Sequence, residues 1–450
     1  MNYLHTLSTF VAELDPQGFD KDLQEQLGWI LADTLAAMAA GSAEPELQAL
    51  AQRQPTTGAA SLIGLGRQSS GEAAAFINGT SGTFLEMDEG NRFSRGHPAV
   101  HVIPAVLALS EQRKASAQDF VAGVAAGYEV GSRLGAASQL RGAMHPHGTW
   151  GTIGAAAACA RVAHLNADQV REAINVSSSL TTATSKRTML EGGLVRNTYA
   201  GLSNRNGLLA LDLVECGFTG EQDGPGSLLG HIVSEQFDAN AVIRDLGEDW
   251  HFMHNYFKLH SCCRYNHGTL DALDTLAASQ GLPSADQIER IDVQTYHLAA
   301  ELDNPAPANT LAAKFSVPFA VATRIVNNSS ALASFTWDAV RDERVLALAQ
   351  RVHVTHNPAM SQRLPHERPS EVKLHLRDGR TLVAQAGVNR GDDASPYTRE
   401  ELRGKFMNLT SRIWPEDHCQ AVLEATLGLT QWRTPLAQWV SLITRPAHVR

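Results

Sequence analysis

Four stretches of the sequence concentrate side chains that could transfer protons or bind an anion. The first, residues 78–111, places acids and histidines just ahead of an apolar run that begins at Pro98. A loop before a helix can present such groups to a ligand, although the same composition is typical of a solvated loop. The polar members of the stretch are Glu86, Asp88, Glu89, Asn91, Arg92, Arg95, His97 and His101.

A metal site is the less favoured interpretation of these residues. His97 and His101 have the four-residue spacing of a helical metal-binding pair, but no glutamate stands between them as in HExxH. The sequence has no CxxC spacing, and the adjacent Cys262 and Cys263 would point in different directions in any regular structure. We therefore expect no metal, and a structural or acid–base role for the two histidines.

The other three stretches are cationic. In residues 141–158, two histidines and an arginine precede a helix rich in Gly and Ala, whose amino terminus could face a carboxylate. Residues 186–207 contain Arg196, which could hold a carboxylate through two hydrogen bonds or be an ordinary surface charge. Residues 255–273 would suit a cleft between two domains. The candidates in this last stretch are Lys258, His260, Cys262, Arg264, Tyr265 and His267.

The elements around these stretches are predicted to be helical through roughly the first 260 residues. Apolar residues recur at helical spacing, Ser116 and Asp119 resemble a capping box, and Gly41 stands where a helix would end. The many Ala and Gly residues would allow close helix packing. The predicted helices cover residues 18–41, 99–113, 117–138, 148–164, 167–180 and 199–216.

After residue 280 the pattern changes to period-two alternation, which predicts strands at 288–300 and 351–358. Asp378-Gly379 lies between two further alternating runs and favours a tight hairpin turn. The segment between these strands is predicted to be a helix interrupted near Pro318, and the tail is predicted to be helical again.

The fold class that follows is mainly α with a smaller α+β part. We expect a large helical domain at 1–265, completed by 400–450, and an inserted, lid-like α+β domain at 266–399.

Composition excludes several classes of partner. The 450 residues carry a net charge of −10, which argues against a nucleic-acid or anionic-membrane surface but leaves a local cationic pocket open. Five cysteines, an odd number, favour reduced thiols, and neither a signal peptide nor an 18-residue apolar run is present. A cytoplasmic protein is therefore expected. The glycines do not make a dinucleotide-binding motif after a strand.

At these four stretches the sequence resembles the MmgE/PrpD family, which includes 2-methylcitrate dehydratase, cis-aconitate decarboxylase and iminodisuccinate epimerase. The similarity spans nearly the whole chain and implies a large helical domain with a smaller α+β domain. NGTSGTFLEMDEGNRFSRGHPAVHVIPAVLALSE is similar to the family's acidic cluster followed by His-Pro. The resemblance places Asp88 and His97 on active-site positions and Asn91 near a polar one.

Two more segments extend the resemblance. MHPHGTWGTIGAAAA looks like the family's His-Pro-x-Gly stretch and puts His145 on its histidine, and KLHSCCRYNHGTLDA carries across Lys258, Cys262 and His267. Two positions depart from the family pattern. Arg196 stands where the family often has lysine, and Phe319 where it often has tyrosine.

The resemblance implies a lyase that needs no cofactor and dehydrates or decarboxylates a small di- or tricarboxylate, by proton transfer at a carbon next to a carboxylate. The alternative hypothesis is an epimerase or isomerase that uses the same carbanion-like intermediate. A third, less favoured hypothesis is a noncatalytic binding protein. Family members are typically homodimers.

Among the candidate residues, we expect His145 and Lys258 to transfer protons, with His97 as a further base and Asp88 orienting a histidine. Arg196 is expected to clamp a carboxylate. Further substrate contacts are expected from Asn91, Cys262, His267 and Arg264.

Overall fold

The computed structural model describes residues 3–447 and contains twenty-two α-helices and ten short strands within that range. The helices before residue 260 are α1 Tyr3–Glu13, α2 Lys21–Gly41, α3 Pro45–Gln52, α4 Gly71–Phe84, α5 Pro98–Arg113, α6 Ala117–Ala136, α7 Trp150–Val162, α8 Ala167–Ser178, α9 Lys186–Leu190, α10 Thr198–Glu215, α11 Gly224–Ser227 and α12 Ala239–Val242. The later helices are α13 His267–Gln280, α14 His297–Ala300, α15 Thr310–Lys314, α16 Val317–Val326, α17 Trp337–Arg341, α18 Glu343–Ala349, α19 Pro358–Ser361, α20 Arg399–Thr410, α21 Glu416–Thr430 and α22 Leu436–Ile443.

The ends of the long helices follow from capping residues, as predicted. Ser116 and Asp119 form a capping box at the start of α6, and Asn166 and Gln169 form one at the start of α8. Helix α2 ends at Gly41. The six predicted helices are confirmed, with boundaries shifted by a few residues at most.

Small residues let the helices of the large part approach each other closely. A Cβ atom at Gly127 of α6 would lie 2.7 Å from the carbonyl oxygen of Gly154 and 2.6 Å from the Cβ of Ala158, both in α7. Only a residue without a side chain fits this approach of two backbones. The close packing predicted from the Ala and Gly content is therefore confirmed for this helix pair.

Three short ribbons were not predicted and qualify the all-helical description of the first 260 residues. Each pairs two antiparallel segments of two to four residues, too short to show a period-two pattern in sequence. The pairs are β1 Ala60–Leu62 with β2 Arg67–Ser69, β3 Gly90–Asn91 with β6 Asn255–Tyr256, and β4 Ser138–Leu140 with β5 Ser234–Phe237.

The α+β part contains one four-stranded sheet. Its order is β10-β9-β7-β8, with β7 parallel to β8 and antiparallel to β9. The predicted hairpin joins β9 to β10 through Asp378 and Gly379, where Gly379 adopts φ +89°. The strands are β7 Ile288–Thr295, β8 Val352–His356, β9 Ser370–Leu376 and β10 Thr381–Ala386.

One strand prediction extends too far. The strand expected over 288–300 ends at Thr295, and the helical turn α14 follows. The helix expected near Pro318 is broken as predicted, because α15 ends at Lys314 and α16 starts with Pro318 in its first turn.

Two hydrophobic clusters divide the described chain. The larger joins the early helices to the tail, including Phe406 and Trp439. The smaller packs the sheet against its helices, including Leu270 and Val372. This division supports domains at 1–265 with 400–450 and at 266–399, which we keep as a proposal. Within residues 3–447, no helix is both long and apolar enough to cross a bilayer.

Close packing at Gly127 gives a first testable prediction. Gly127→Ala should lower the free energy of unfolding by about 1–3 kcal/mol, because its methyl group would overlap α7. The matched control is Gly404→Ala in α20, where a Cβ would meet nothing within 4 Å. That change should be stabilising by about 0.5–1 kcal/mol through helix propensity alone. Urea unfolding of both variants checks the signs, and equal effects would contradict the packing argument.

Candidate active site

A cavity of about 280 Å³ lies between the helical part and the α+β part. Its wall carries six arginines or lysines and two carboxylates, so the cavity favours an anion although the whole chain is acidic. This agrees with the cleft expected near residues 255–273. The charged and aromatic lining residues are Glu86, Arg95, His97, Arg141, His145, His147, Lys186, Arg196, Tyr256, Arg264, Tyr265, His297, Glu301, Phe315 and Arg368.

The loop between α4 and α5 is buried, contrary to its interpretation as a solvated loop. Glu86, Asp88 and Glu89 are each at most 1% exposed. The side-chain oxygen of Asn91 accepts hydrogen bonds from the backbone of the next turn, and Lys405 of α20 donates to the carbonyl oxygen of Met87. The loop is thus held rigidly from both sides, which is what a catalytic group needs.

Four buried charges form a cluster at the base of the cavity. Arg196 pairs with Glu86, and the Lys258 Nζ lies 3.7 Å from Glu86 Oε2 and 3.6 Å from Asp88 Oδ1. Burial favours protonation of Asp88, but the adjacent His97 and Lys258 favour its ionised form and hold the pKa of Asp88 well below its ordinary value. Two carboxylates and two cations therefore balance.

His97 is oriented by its Nδ1 atom. Nδ1 lies 2.6 Å from the Glu89 carbonyl oxygen and 3.0 Å from Asp88 Oδ2. Since both neighbours can only accept a hydrogen bond, Nδ1 carries a proton, and Nε2 is the nitrogen left to exchange a proton with a ligand. His97 also lines the cavity, so this arrangement can take up or deliver a proton there, as a His–Asp pair does in other enzymes.

His145 has the opposite arrangement. Its Nδ1 accepts a hydrogen bond from the backbone N–H of His147 at 3.1 Å. Its Nε2 faces a second donor, the Nε–H of Arg196, at 3.4 Å. A neutral imidazole can accept only one of these two hydrogen bonds, and the tautomer that keeps the shorter one, at Nδ1, carries its proton on Nε2. Burial and then the charge of Arg196 lower the pKa of His145 well below its ordinary value. His145 is therefore neutral, and in the tautomer that keeps the shorter hydrogen bond its Nε2–H is the group that can donate to a ligand.

Two further histidines complete a group of imidazoles in edge-to-face contact. The ring of His147 lies 4.6 Å from that of His145, 5.0 Å from that of His97 and 4.7 Å from that of His101, centroid to centroid. Neither ring nitrogen of His101 has a hydrogen-bond partner among the described residues. Burial lowers the pKa of His101 to about 3, and that of His147 well below its ordinary value.

Several residues selected from sequence lie outside the cavity wall. Lys258 and Asp88 stand behind Glu86 and His97, and the side chain of Asn91 shapes its loop. Cys262 is buried in the smaller hydrophobic cluster, while its neighbour Cys263 lines the cavity.

Of the two remaining candidates, Arg264 lines the cavity and His267 does not. His267 Nδ1 lies 2.9 Å from Arg264 Nη1, and its ring does not reach the cavity. Arg264 lines the cavity, but its charge is compensated by Asp392 at 2.9 Å. Phe319 packs against Phe335 in the hydrophobic cluster.

Other lining residues had no sequence signal that selected them. Tyr256 lies in the stretch 255–273 but was not among its candidates, and Arg368 lies in a stretch without a motif; the fold brings both to the cavity. Tyr256 is brought there by the short ribbon β3–β6, and Arg368 by the start of β9. Glu367 directly precedes Arg368, so the local sequence does not distinguish this arginine from an exposed, ion-paired one.

One group of described residues has ligand atoms close enough for a metal ion, and it lies outside the cavity. His260 Nε2 is 3.2 Å from Asp271 Oδ1 and 3.9 Å from Asp274 Oδ2. Arg324 donates to Asp274 at 2.6 Å, so these side chains already pair with one another. The arrangement is explained by ion pairing without a metal.

A cationic cavity with an oriented histidine and a balanced group of buried charges is the kind of site that suits a small anion. Comparison with known proteins gives its family. Residues 5–224 match the MmgE/PrpD N-terminal domain and residues 260–429 match the MmgE/PrpD C-terminal domain. The chain belongs to the MmgE/PrpD family and is an enzyme of its lyase type, which confirms the resemblance.

Curated relatives align over most of the chain. A cis-aconitate decarboxylase-like protein of Aspergillus oryzae is 25% identical over 95% of this chain and 94% of the relative. Cis-aconitate decarboxylase of Aspergillus terreus is 24% identical over 97% and 95%, respectively. Cis-aconitate decarboxylase of Mus musculus is 25% identical over 78% and 74%.

The neutral state of His101 predicts a pH dependence of stability. The unfolded chain binds a proton at this residue below about pH 6.5, whereas the folded protein does so only near pH 3. The contribution of His101 to the free energy of unfolding is therefore fully present above pH 6.5. As the pH falls below 6.5, this contribution decreases by about 1.4 kcal/mol per pH unit.

His101→Leu should therefore reduce the slope of unfolding free energy against pH between pH 6 and 5 by about 1.4 kcal/mol per unit. Urea unfolding at several pH values measures this slope. His5→Leu, at an exposed position, controls for the loss of an imidazole. Parallel curves for His101→Leu and the parent protein would contradict the argument.

Proposed function

We propose that this chain is a cofactor-independent lyase that decarboxylates a small unsaturated tricarboxylate of the cis-aconitate type. The observation that carries the proposal is the cationic cavity of about 280 Å³ with His97 and His145 in its wall. Its volume lies just below the usual range of ligand pockets, roughly 300–1,000 Å³, which suits a compact polyanion. The names of the aligned relatives support the same substrate class.

The reaction can be written without an electron acceptor. The bond from carbon to the leaving carboxylate breaks, and its electron pair forms a new carbon–carbon double bond. The pair of the old double bond moves to the carbon beside a second carboxylate, and that carbon takes one proton. A trianion and a proton thus give a dianion and carbon dioxide. The enzyme must stabilise the charge that develops on the second carboxylate and supply the proton.

His97 is suited to supplying the proton. Its Nε2 can carry a proton while Nδ1 keeps its contacts with Glu89 and Asp88, and the ionised Asp88 compensates the charge of the imidazolium. This division of roles differs from the sequence-based expectation that His145 and Lys258 form the proton-transfer pair.

His145 is better suited to stabilising charge. A second proton on its ring would have to displace the hydrogen bond from the backbone N–H of His147. As a neutral donor it can point Nε2–H at a developing enolate oxygen. Lys258, which has no cavity surface, supports the site by compensating the charges of Glu86 and Asp88.

The expected cytoplasmic location and homodimer remain proposals. Exposed apolar side chains occur on and beside α10, including Val195, Leu209 and Phe218. Analytical ultracentrifugation of the purified chain measures its oligomeric state directly.

Substitution of His97 tests the proton-transfer role. His97→Asn keeps a donor near the Nδ1 position, but removes Nε2, and should lower kcat for cis-aconitate by about 10²- to 10⁴-fold with an unchanged melting temperature. Carbon dioxide release measures the rate. A variant as active as the parent would exclude His97 as the proton donor.

His145 allows the two roles to be separated. His145→Gln retains an N–H near the position of Nε2, whereas His145→Leu retains none. If the residue stabilises charge, Gln should keep at least about tenfold more kcat than Leu, since one oxyanion donor contributes about 10²- to 10³-fold. Equal losses in both variants would instead support the proton transfer expected from sequence.

Reaction in heavy water separates the lyase from the epimerase. The lyase should release carbon dioxide and place one deuterium on the carbon next to a carboxylate of the product, because that carbon receives the solvent-derived proton. NMR spectroscopy detects both. Deuterium exchange with inversion of a stereocentre and without carbon dioxide would overturn the lyase proposal in favour of the epimerase.

A further inference from the structure

The cations around the cavity differ in how their charge is compensated. Arg196 pairs with Glu86, and Lys186 pairs with Glu301. Arg264 pairs with a buried aspartate, and the guanidinium of Arg141 donates to backbone carbonyl oxygens at the surface. These contacts occupy much of the hydrogen-bonding capacity that would otherwise be offered to a ligand.

Arg368 is buried and has no acidic partner among the described residues. It is 5% exposed, its Nη1 has no hydrogen-bond partner, and its Nη2 makes only a 3.5 Å contact with the carbonyl oxygen of Arg92. Its guanidinium carbon lies 5.4 Å from the ring centroid of Tyr256. A buried charge without a counter-charge is costly, so its presence in the cavity wall calls for an anion that arrives from outside.

The backbone beneath Arg368 is fixed. The backbone N–H of Arg368 donates to the carbonyl oxygen of Gly387 at 3.1 Å. The carbonyl oxygen of Arg368 lies so close to Gly268 that a Cβ atom on this glycine would be only 2.6 Å from it. The guanidinium therefore projects from a tightly packed part of the α+β domain. Its planar fork matches the two oxygens of a carboxylate.

We propose that Arg368 binds one carboxylate of the substrate and thereby selects a polycarboxylate over an acid that lacks this group. His97 and His145 come from the helical part and Arg368 from the α+β part, so one ligand bridges both. This inference rests on the proposed carboxylate substrate and assigns the anion-binding role, expected for Arg196, to a second arginine whose charge is not already compensated.

Binding of unreactive acids tests the proposal without turnover. The probes are propane-1,2,3-tricarboxylate, glutarate, which lacks the central carboxylate, and methylsuccinate, which lacks a terminal one. Isothermal titration calorimetry of the parent protein should show weaker binding of at least one dicarboxylate than of the tricarboxylate. Arg368→Gln should bind the tricarboxylate about 10- to 100-fold more weakly and lose that preference.

Three further measurements distinguish binding from a structural role. The melting temperature of Arg368→Gln should be unchanged or higher, because an uncompensated buried charge is removed. Arg368→Lys, which keeps the charge without the fork, should bind with intermediate affinity. With cis-aconitate, Arg368→Gln should raise KM more than it lowers kcat. Arg377→Gln, at an exposed position in the same part of the chain, is the matched control and should change neither affinity nor KM.

Specific results would overturn the inference. These are unchanged tricarboxylate affinity in Arg368→Gln, equal loss for all three acids, or no binding of any probe by the parent protein. If the parent protein binds the acids with the expected dependence on Arg368 but releases no carbon dioxide from cis-aconitate, the proposed reaction fails while the assignment of Arg368 stands.

Discussion

The charge balance of Glu86, Asp88, Arg196 and Lys258 is the constraint on which the site depends. These side chains are almost fully buried, so removing one leaves an uncompensated charge, at a cost of about 3–5 kcal/mol in comparable buried pairs. They come from the loop before α5, the turn before α10 and the segment before α13. The helical packing around them must therefore bring distant parts of the chain to a fixed separation.

Burial gives histidine a different role in the site from arginine and lysine. His101, His145 and His147 are held neutral by desolvation, so they can donate or accept hydrogen bonds without adding charge. The positive potential of the cavity is left to arginine and lysine. Arginine keeps its charge across the whole physiological pH range, so attraction of an anion and proton transfer are properties of different residues.

Much of the fold and part of the site could be predicted from sequence. Capping residues and helical spacing located α6 and α8, and Asp378-Gly379 located a hairpin, because these signals are local. His97 and His145 were selected through the family resemblance. Burial of the acidic loop was not predictable, since its neutralising partners lie more than 100 residues away. Arg368 was missed for a related reason: its significance is the lack of a partner, which only the three-dimensional structure reveals.

Lys405 connects the tail to the loop that carries Asp88. Because these two segments are far apart in sequence, the contact can form only late in the synthesis of the chain. The Nζ of Lys405 donates to the Met87 carbonyl oxygen across 318 residues of sequence, and it pairs with Asp33 of α2. At about 5–20 residues per second, the ribosome needs roughly 15–60 s to make that intervening chain. Throughout this interval Asp33 lacks the cation that compensates its charge in the folded protein. Final closure of its core, and with it the active-site loop, is therefore a late event of translation.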